Sequence, residues 1–231
     1  MSVQPARSAP EHAVLEGRYV RLEPVAPGHA ADLFAISAGA EAEARYRFLP
    51  NDPPMSLGDV NNWIAAVQNG PDLYVAVIDK GSGRAVGRQA WLRIRPEHGS
   101  VEIGAIYWGL PMARSRLATE ALYLFARHAF DDLGYRRFEW KCNDRNAPSK
   151  AAATRFGFIY EGLFRQDMIV KGENRDTAWF SILDSEWPAL REEYERWLNP
   201  ENFDAAGQQR TKLTTRQMQQ VPAFAGKTRH Y

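Results

Sequence analysis

The segment between residues 101 and 158 constrains the fold of this chain most. A β-rich run there stops at Gly109 and Pro111, which break regular structure, and a helical pattern starts at Ser115. The free N–H groups at the start of such a helix can receive an anion. A second strand and a second helix follow at once. The predicted elements are Val101–Trp108, Ser115–Leu133, Arg137–Cys142 and Pro148–Phe156.

Elements on either side of this segment complete the predicted fold. A hairpin signal at Lys80–Gly83 joins two β-rich runs, which form a meander with the strand ending at Trp108. Antiparallel strands followed by strand–helix units imply a mixed α/β sheet, not a doubly wound parallel one. The other predicted strands are Tyr19–Pro24, Leu73–Ile78, Val86–Ile94, Phe158–Val170 and Thr177–Leu183. The other predicted helices are His29–Ser37, Leu57–Val67 and Glu186–Trp197.

The chain has 231 residues, of which 45% are hydrophobic, so it can bury a sizeable core and fits one domain better than two. We predict a mobile arm over residues 1–12, a single domain over 13–199, and a polar, flexible tail over 200–231. The tail lacks a periodic apolar face, so truncation at Asn202 is expected to leave the melting temperature unchanged.

Charge and cysteine content exclude several classes of protein. The net charge is only +1 and the basic tail lacks interleaved aromatic residues, so nucleic-acid binding is not expected. A single cysteine, Cys142, excludes an internal disulfide, and the N-terminus lacks the apolar run of a signal peptide. No stretch is apolar enough to enter a membrane, which favours a cytoplasmic protein. The five histidines lack ligand spacing, so no metal is expected.

Four motifs, in this order and spacing, resemble the GNAT superfamily of N-acetyltransferases, and within it the Rim type, which acetylates the N-terminal amine of ribosomal proteins. They are Ala118–Ala121, Leu133–Arg137, Asn143–Ser149 and Phe156–Phe158, and the resemblance extends over roughly residues 15 to 198. It implies a mostly antiparallel central sheet with a splayed strand pair, flanked by helices. It also implies transfer of acetyl from acetyl-CoA to a primary amine, either a protein N-terminus or a small amine, by direct attack in a ternary complex.

The chain departs from the family pattern at two positions. The pyrophosphate loop of the family carries a glycine where this chain has Arg116, and the tyrosine that protonates the leaving thiolate is replaced by Ala153. A non-catalytic acyl-CoA-binding module is therefore the alternative function. Another acyl donor, such as succinyl-CoA, stays open, and a homodimer is compatible with the resemblance.

The resemblance assigns coenzyme contacts to a strand end, a loop and two helix starts. Lys150 and Arg155 could also face the phosphates. The alternative interpretation of these basic residues is a solvent-exposed helix face. Asn146 would hold the pantetheine arm. The expected coenzyme-binding residues are Ile106, Tyr107, Trp108, Arg114, Ser115, Arg116, Leu117, Ala118, Thr119, Asn146 and Ser149.

Glu102 is the candidate general base, because it is the only acid inside an apolar strand beside the expected thioester, and burial raises the pKa of a carboxyl. A surface pair with Arg93 or Arg95 is the structural alternative, and Glu139 is the second candidate. Ser149, with Asn146, is the other expected catalytic residue: its hydroxyl would protonate the thiolate. Both side chains equally suit helix capping.

Two other residue types have simpler interpretations. A lone strand cysteine such as Cys142 is most often a small core residue, not a nucleophile. The tryptophans are mostly core by type, but Trp91 and Trp108 lie on strands beside the expected site and are candidates for the wall of an acceptor cleft.

Overall fold

The computed structural model describes residues 4–39 and 41–215, and within them one mixed sheet carries the fold. Eight strands hydrogen-bond in the order β1-β2-β3-β4-β5-β6-β8-β7. Every neighbouring pair is antiparallel except β5 with β6. The strands are β1 (Leu15–Glu16), β2 (Val20–Pro24), β3 (Leu73–Asp79), β4 (Ala85–Arg95), β5 (Ser100–Trp108), β6 (Arg137–Asn143), β7 (Ile159–Val170) and β8 (Glu173–Leu183).

The helices lie on both faces of this sheet. Helix α4 has Ser115 at its N-cap, where the hydroxyl accepts the N–H of Leu117, and a π-helical turn at His128–Asp132 extends its C-terminus. The α-helices are α1 (Ala30–Ser37), α2 (Ala42–Tyr46), α3 (Leu57–Gln68), α4 (Arg116–Arg127), α5 (Ala147–Arg155) and α6 (Trp187–Leu198). Each predicted helix and strand is present, whereas β1 and α2 were not predicted.

The larger core lies between the sheet and helices α4 and α6. Alternate strand residues such as Val101 and Ile103 point to this side, where the Trp91 ring stacks on the Phe125 ring at 3.8 Å. Helices α1 and α3 pack over the opposite face and form a smaller core around Ile64. Glu102 lies on this second face, beyond the region that α1 and α3 cover.

A buried carboxylate attaches the first strands to α4. Glu120 is 4% exposed, and its two oxygens accept the backbone N–H groups of Arg18, Tyr19 and Val20 at 2.8, 2.6 and 2.7 Å. A Cβ on Gly17 would lie 2.6 Å from a Glu120 oxygen, so a larger residue at this position would displace the carboxylate. The glutamate of the Ala118–Ala121 motif thus holds the strand edge against the coenzyme-side helix.

The described part of the C-terminal region packs on the domain, which its composition did not predict. Phe203 is 7% exposed and its ring meets that of Trp197 at 5.1 Å. Asn202 accepts the backbone N–H and the hydroxyl of Thr211, and Thr215 is 2% exposed. Several of these contacts are made by asparagine and threonine side chains, so the sequence shows no periodic apolar pattern that would predict them. Residues 216–231 of the predicted tail lie outside the described residues.

The N-terminal region also contacts the domain where it is described. The backbone N–H of Ala6 donates to Pro96, and the N–H of Arg7 donates to Leu133. The Arg7 guanidinium donates to the carbonyl groups of Asp131 and Asp132. These bonds hold residues 6 and 7 of the predicted arm on the surface, at the end of the π-helical turn. Residues 1–3 are not described.

Candidate active site

A cleft opens where strands β5 and β6 separate. The two strands pair in parallel from Ser100 with Arg137 to Ile103 with Trp140, and pair no further although both continue. The gap between their ends forms a cleft of about 420 Å³. Glu102, Ile106, Asn146 and Ser149, four of the residues expected at the site, all line it. The structure therefore brings the candidate base, a coenzyme-side strand residue and both helix-start residues into one cavity.

A β-bulge shapes the β5 side of the cleft. Arg88 pairs with Tyr107 and Ala90 with Gly104, so Gln89 alone opposes two residues of β5. One of these is Ala105, which adopts φ +50° in the left-handed region that non-glycine residues rarely occupy. Such a bulge turns the end of the strand and re-aims its backbone, here toward the opening beside β6.

Hydrogen-bond alternation shows which backbone groups of β5 face the opening. The Gly109 N–H donates to Val86 of β4, and antiparallel pairs alternate between bonded and non-bonded residues. The backbone of Tyr107 therefore faces β4, and that of Trp108 faces the opening. The Trp108 carbonyl accepts from Arg45 at 3.2 Å, and the Tyr107 hydroxyl donates to Ile36. Tyr107 thus supports the strand, whereas Ile106 lines the cleft and only the backbone of Trp108 faces the opening.

Glu102 is buried and paired with a lysine that the sequence reasoning did not select. Its carboxylate lies 2.6 Å from the Lys141 Nζ and 3.9 Å from the Arg93 Nε. The Lys141 side chain is 7% exposed and its Nζ lies 3.9 Å from the centre of the Trp179 ring. Burial raises the pKa of Glu102, against the opposing effect of the ammonium group.

Glu139, the second candidate base, occupies the position beside Glu102 in the register of β5 and β6. The same Lys141 ammonium lies 2.9 Å from its carboxylate, and the Arg137 Nε donates to it at 2.7 Å. Burial pushes the pKa of Glu139 upward, but these hydrogen bonds outweigh burial and hold the pKa below its usual value. Two adjacent carboxyls thus have pKa values moved in opposite directions, and Glu102 is the better proton acceptor of the two.

Asn146 and Ser149 combine capping with exposure to the cleft. The Asn146 side-chain oxygen accepts the Ser149 N–H at 3.1 Å at the start of α5, which leaves the amide NH₂ available to a ligand. The Ser149 hydroxyl oxygen accepts from the Trp140 indole at 3.0 Å, and its own hydrogen remains to donate, with the Cys142 sulfur as a nearby acceptor. Helix capping and a role at the coenzyme site are therefore compatible for Asn146 and Ser149.

Cys142 also lines the cleft and is buried. Burial raises the pKa of its thiol, which the nearby Ser149 hydroxyl opposes only in part. A raised thiol pKa disfavours the thiolate, so the side chain is a poor nucleophile.

The loop between β5 and α4 carries the expected phosphate-binding residues. Arg114 is exposed and adopts φ +55°, the conformation that glycine would supply most easily at this turn. Helix α4 then begins at Arg116, so Leu117, Ala118 and Thr119 lie in its first turn. The N–H of Leu117 is already bound by Ser115, and the others of this turn point out of the helix start.

The basic residues around this loop are engaged to different degrees. The Arg116 guanidinium lies 4.2 Å from the centre of the Tyr19 ring and 5.2 Å from that of Phe203. Arg155 donates to the Thr119 hydroxyl at 3.1 Å, which places it at the first turn of α4. Lys150 pairs with Asp144 at 2.8 Å. Arg114 makes no ion pair with the described residues, so it is the most available cation for a phosphate.

Neither of the two tryptophans expected in the wall of the acceptor cleft lines it. Trp91 is 2% exposed in the main core, because it points to the α4 side of the sheet. Trp108 packs its ring against those of Trp140 and Phe156. Trp63 and Trp140 line the cleft instead, together with Arg88. Among residues 4–39 and 41–215, no His, Cys, Asp and Glu side chains cluster as a metal site would require.

The model of the acetyltransferase (GNAT) domain matches residues 20–159, more than half of the chain. The chain belongs to the GNAT acetyltransferase family. Members of this family use acetyl-CoA as a substrate, so the protein is an N-acetyltransferase. None of the helices in the described regions is long and apolar enough to cross a bilayer.

Solved structures support the same assignment. A GCN5-related N-acetyltransferase from Brucella melitensis is 50% identical, with a TM-score of 0.89, over 95% of this chain and 99% of that one. A probable GNAT-family acetyltransferase from Chromobacterium violaceum is 38% identical, with a TM-score of 0.75, over 81% of this chain and 94% of that one. The predicted GNAT fold is confirmed.

A curated relative matches over a shorter stretch. The uncharacterized N-acetyltransferase p20 from Bacillus licheniformis is 29% identical over 116 residues, which are 48% of this chain and 62% of that protein. The match therefore spans less than two thirds of that relative.

Proposed function

We propose that the protein transfers acetyl from acetyl-CoA to a primary amine, either a protein N-terminus or a small amine, by direct attack in a ternary complex. The observation that carries this proposal is the cleft at the separation of β5 and β6, where Glu102, Asn146 and Ser149 meet. The Rim-type assignment rests on the motifs and belongs to this proposal, as do a cytoplasmic location and a homodimer.

In the proposed complex the pantetheine arm enters between β5 and β6 and its phosphates lie at the start of α4. The Trp108 amide faces the opening and would polarise the thioester oxygen, while the free NH₂ of Asn146 would hold the arm. Arg114 and the N–H groups of the first turn of α4 would meet the pyrophosphate. Coenzyme binding of this kind uses backbone groups mainly, and the guanidinium of Arg116, which replaces the usual glycine, lies against the rings of Tyr19 and Phe203.

The proposed chemistry forms one C–N bond and breaks one C–S bond. Glu102 accepts a proton from the amine, directly or through water, and its raised pKa suits this role. The amine nitrogen attacks the thioester carbon and the thiolate leaves. Ser149 then gives the thiolate a proton, in place of the tyrosine that Ala153 replaces, and its hydroxyl regains a proton from the attacking nitrogen, which leaves a neutral amide and a free thiol.

Thiol release measured with acetyl-CoA and a panel of amines tests this function, with a reaction lacking amine as the control. Amine-dependent release is expected, together with acetyl-CoA binding by isothermal titration. Binding without release for any amine would favour the alternative, a non-catalytic acyl-CoA-binding module. Absence of both would refute the proposal altogether.

A further inference from the structure

Arg88 is a buried cation in the wall of the cleft. It lies on β4 and is 5% exposed, although it carries a permanent charge. Its guanidinium carbon lies 4.4 Å from the centre of the Trp63 ring, and one Nη donates to the Ala105 carbonyl at 3.3 Å. The indole and the carbonyl therefore fix the plane of the guanidinium group, while further N–H donors remain.

The charge of Arg88 has no protein counterpart. Among the described residues it forms no ion pair with any carboxylate. The two acids that line the cleft, Asp72 and Glu102, do not neutralise it. Glu102 is paired with Lys141, and Asp72 makes no ion pair with Arg88. Burial of an unpaired charge is unfavourable, and a structure usually compensates it with an opposite charge. The missing partner is therefore expected from a ligand that enters the cleft.

The position of Arg88 restricts what this ligand is. Its guanidinium is bonded to Ala105, the bulge residue three positions before Trp108, the strand end where the thioester is expected. A group bound by Arg88 therefore lies at the same end of β5 as the expected thioester. A planar guanidinium binds two oxygens of a carboxylate or of a phosphate, and the phosphates of the coenzyme are assigned to the start of α4, so a carboxylate is the group that remains for Arg88. A cleft of about 420 Å³ suits a small acceptor beside the pantetheine arm.

We infer that Arg88 binds a carboxylate of the acceptor, so that the substrate is a small amine that also carries a carboxylate, such as an amino acid. This inference rests on the proposed function and names its substrate class. Arg175 also lines the cleft, but it is only half-buried and donates to Thr177. It is therefore the natural comparison for Arg88.

The test compares each amino acid with its own carboxamide as the acceptor for acetyl-CoA. The ratio of the two kcat/KM values is measured for the wild type and for Arg88→Met. A charge-assisted hydrogen bond favours the acid by about 10–150-fold in the wild type, and Arg88→Met should bring the ratio close to one. Because the ratio is taken within one protein, a smaller folded fraction does not alter it. Arg84→Met is the matched control, since Arg84 lies in the same hairpin, is exposed and pairs with Asp32.

Three results would overturn the inference. Equal kcat/KM values for the amino acid and its carboxamide in the wild type would show that the protein does not recognise the carboxylate, even if thiol release proves the proposed function correct. A preference that persists in Arg88→Met but disappears in Arg175→Met would move the site to Arg175. A preference for succinyl-CoA over acetyl-CoA with a neutral amine, lost in Arg88→Met, would place the carboxylate on the donor.

If no amine supports turnover, the same variants are compared by isothermal titration of an amino acid into the protein with coenzyme A bound. Binding that Arg88→Met weakens at least about 10-fold supports the inference, and unchanged binding refutes it. Turnover therefore tests the proposed function, whereas the titration tests the carboxylate site independently of turnover.

Discussion

Replacement of Lys141 by methionine would remove the ammonium group that lies between Glu102 and Glu139. The two carboxylates occupy paired positions on β5 and β6, and the lysine lies 2.6 and 2.9 Å from them. Both Glu102 and Lys141 have side chains less than a tenth exposed, so bulk water screens the pair only weakly. Methionine keeps much of the volume of the side chain and its contact with Trp179, which confines the change mainly to charge.

Loss of one partner of a buried ion pair typically costs about 3–5 kcal/mol. For a chain of this size, 1 kcal/mol shifts the melting temperature by about 2–4 °C, so Lys141→Met should lower it by roughly 6–20 °C near pH 8. Lys80→Met is the control, because Lys80 pairs with Glu16 at 3.0 Å while both side chains are about half exposed. Its cost should be about 0–1 kcal/mol.

The pH dependence of the loss identifies its cause. Without the lysine, the pKa of Glu102 in the folded state rises further above the ordinary value of 4.5. An acid whose pKa is higher in the folded than in the unfolded state loses stability as the pH rises. The melting-temperature difference between Lys141→Met and the wild type should therefore be large at pH 8 and shrink toward pH 5. A difference no larger than that of Lys80→Met, or one independent of pH, would refute the reasoning.

Two further predictions concern the coenzyme loop and the C-terminal region. Arg114→Ala should weaken acetyl-CoA binding and flatten its salt dependence in isothermal titrations at several salt concentrations. The reason is that Arg114 has no ion pair in the described structure and that salt screens phosphate contacts. Unchanged affinity would show that Arg114 does not bind the phosphates. Truncation after Asn202 should lower the melting temperature, contrary to the expectation from composition, because it removes Phe203 from beside Trp197 and Thr215 from its buried position. Loss of a buried phenylalanine alone costs about 3–5 kcal/mol, and an unchanged melting temperature in a thermal melt would show that these contacts add nothing.

The secondary structure and the position of the site were readable from the sequence because they depend on local patterns. A β-rich run that stops at Gly109 and Pro111 marked Val101–Trp108 as a strand, and Asn146 with Ser149 marked a helix start. The separation of β5 and β6 came from the family resemblance, and the register confirms it. Such signals lie within a short stretch of sequence, so they can be recognised without knowing which distant residues come into contact in the fold.

The electrostatics of the site could not be read in the same way. Lys141 is one of several basic residues in its region, and only the pairing of β5 with β6 places it between two glutamates. Arg88 donates to Ala105 in the bulge of the facing strand, and a bulge of that kind leaves no periodic mark in the sequence. Trp91 was expected at the cleft because its strand flanks the expected site, yet its side chain points to the opposite face.

Thiol release by the wild type and by Glu102→Gln, measured from about pH 5 to pH 9, tests the central claim most directly. Glu102 must be ionised to accept a proton, so wild-type activity should fall as the pH drops through its raised pKa. Glu102→Gln should be slower by about 10²–10⁴-fold, lack this acidic limb and bind acetyl-CoA as the wild type does. An acidic limb that persists in Glu102→Gln would contradict the account and would move the base to Glu139, to a water chain or to the titration of the amine itself.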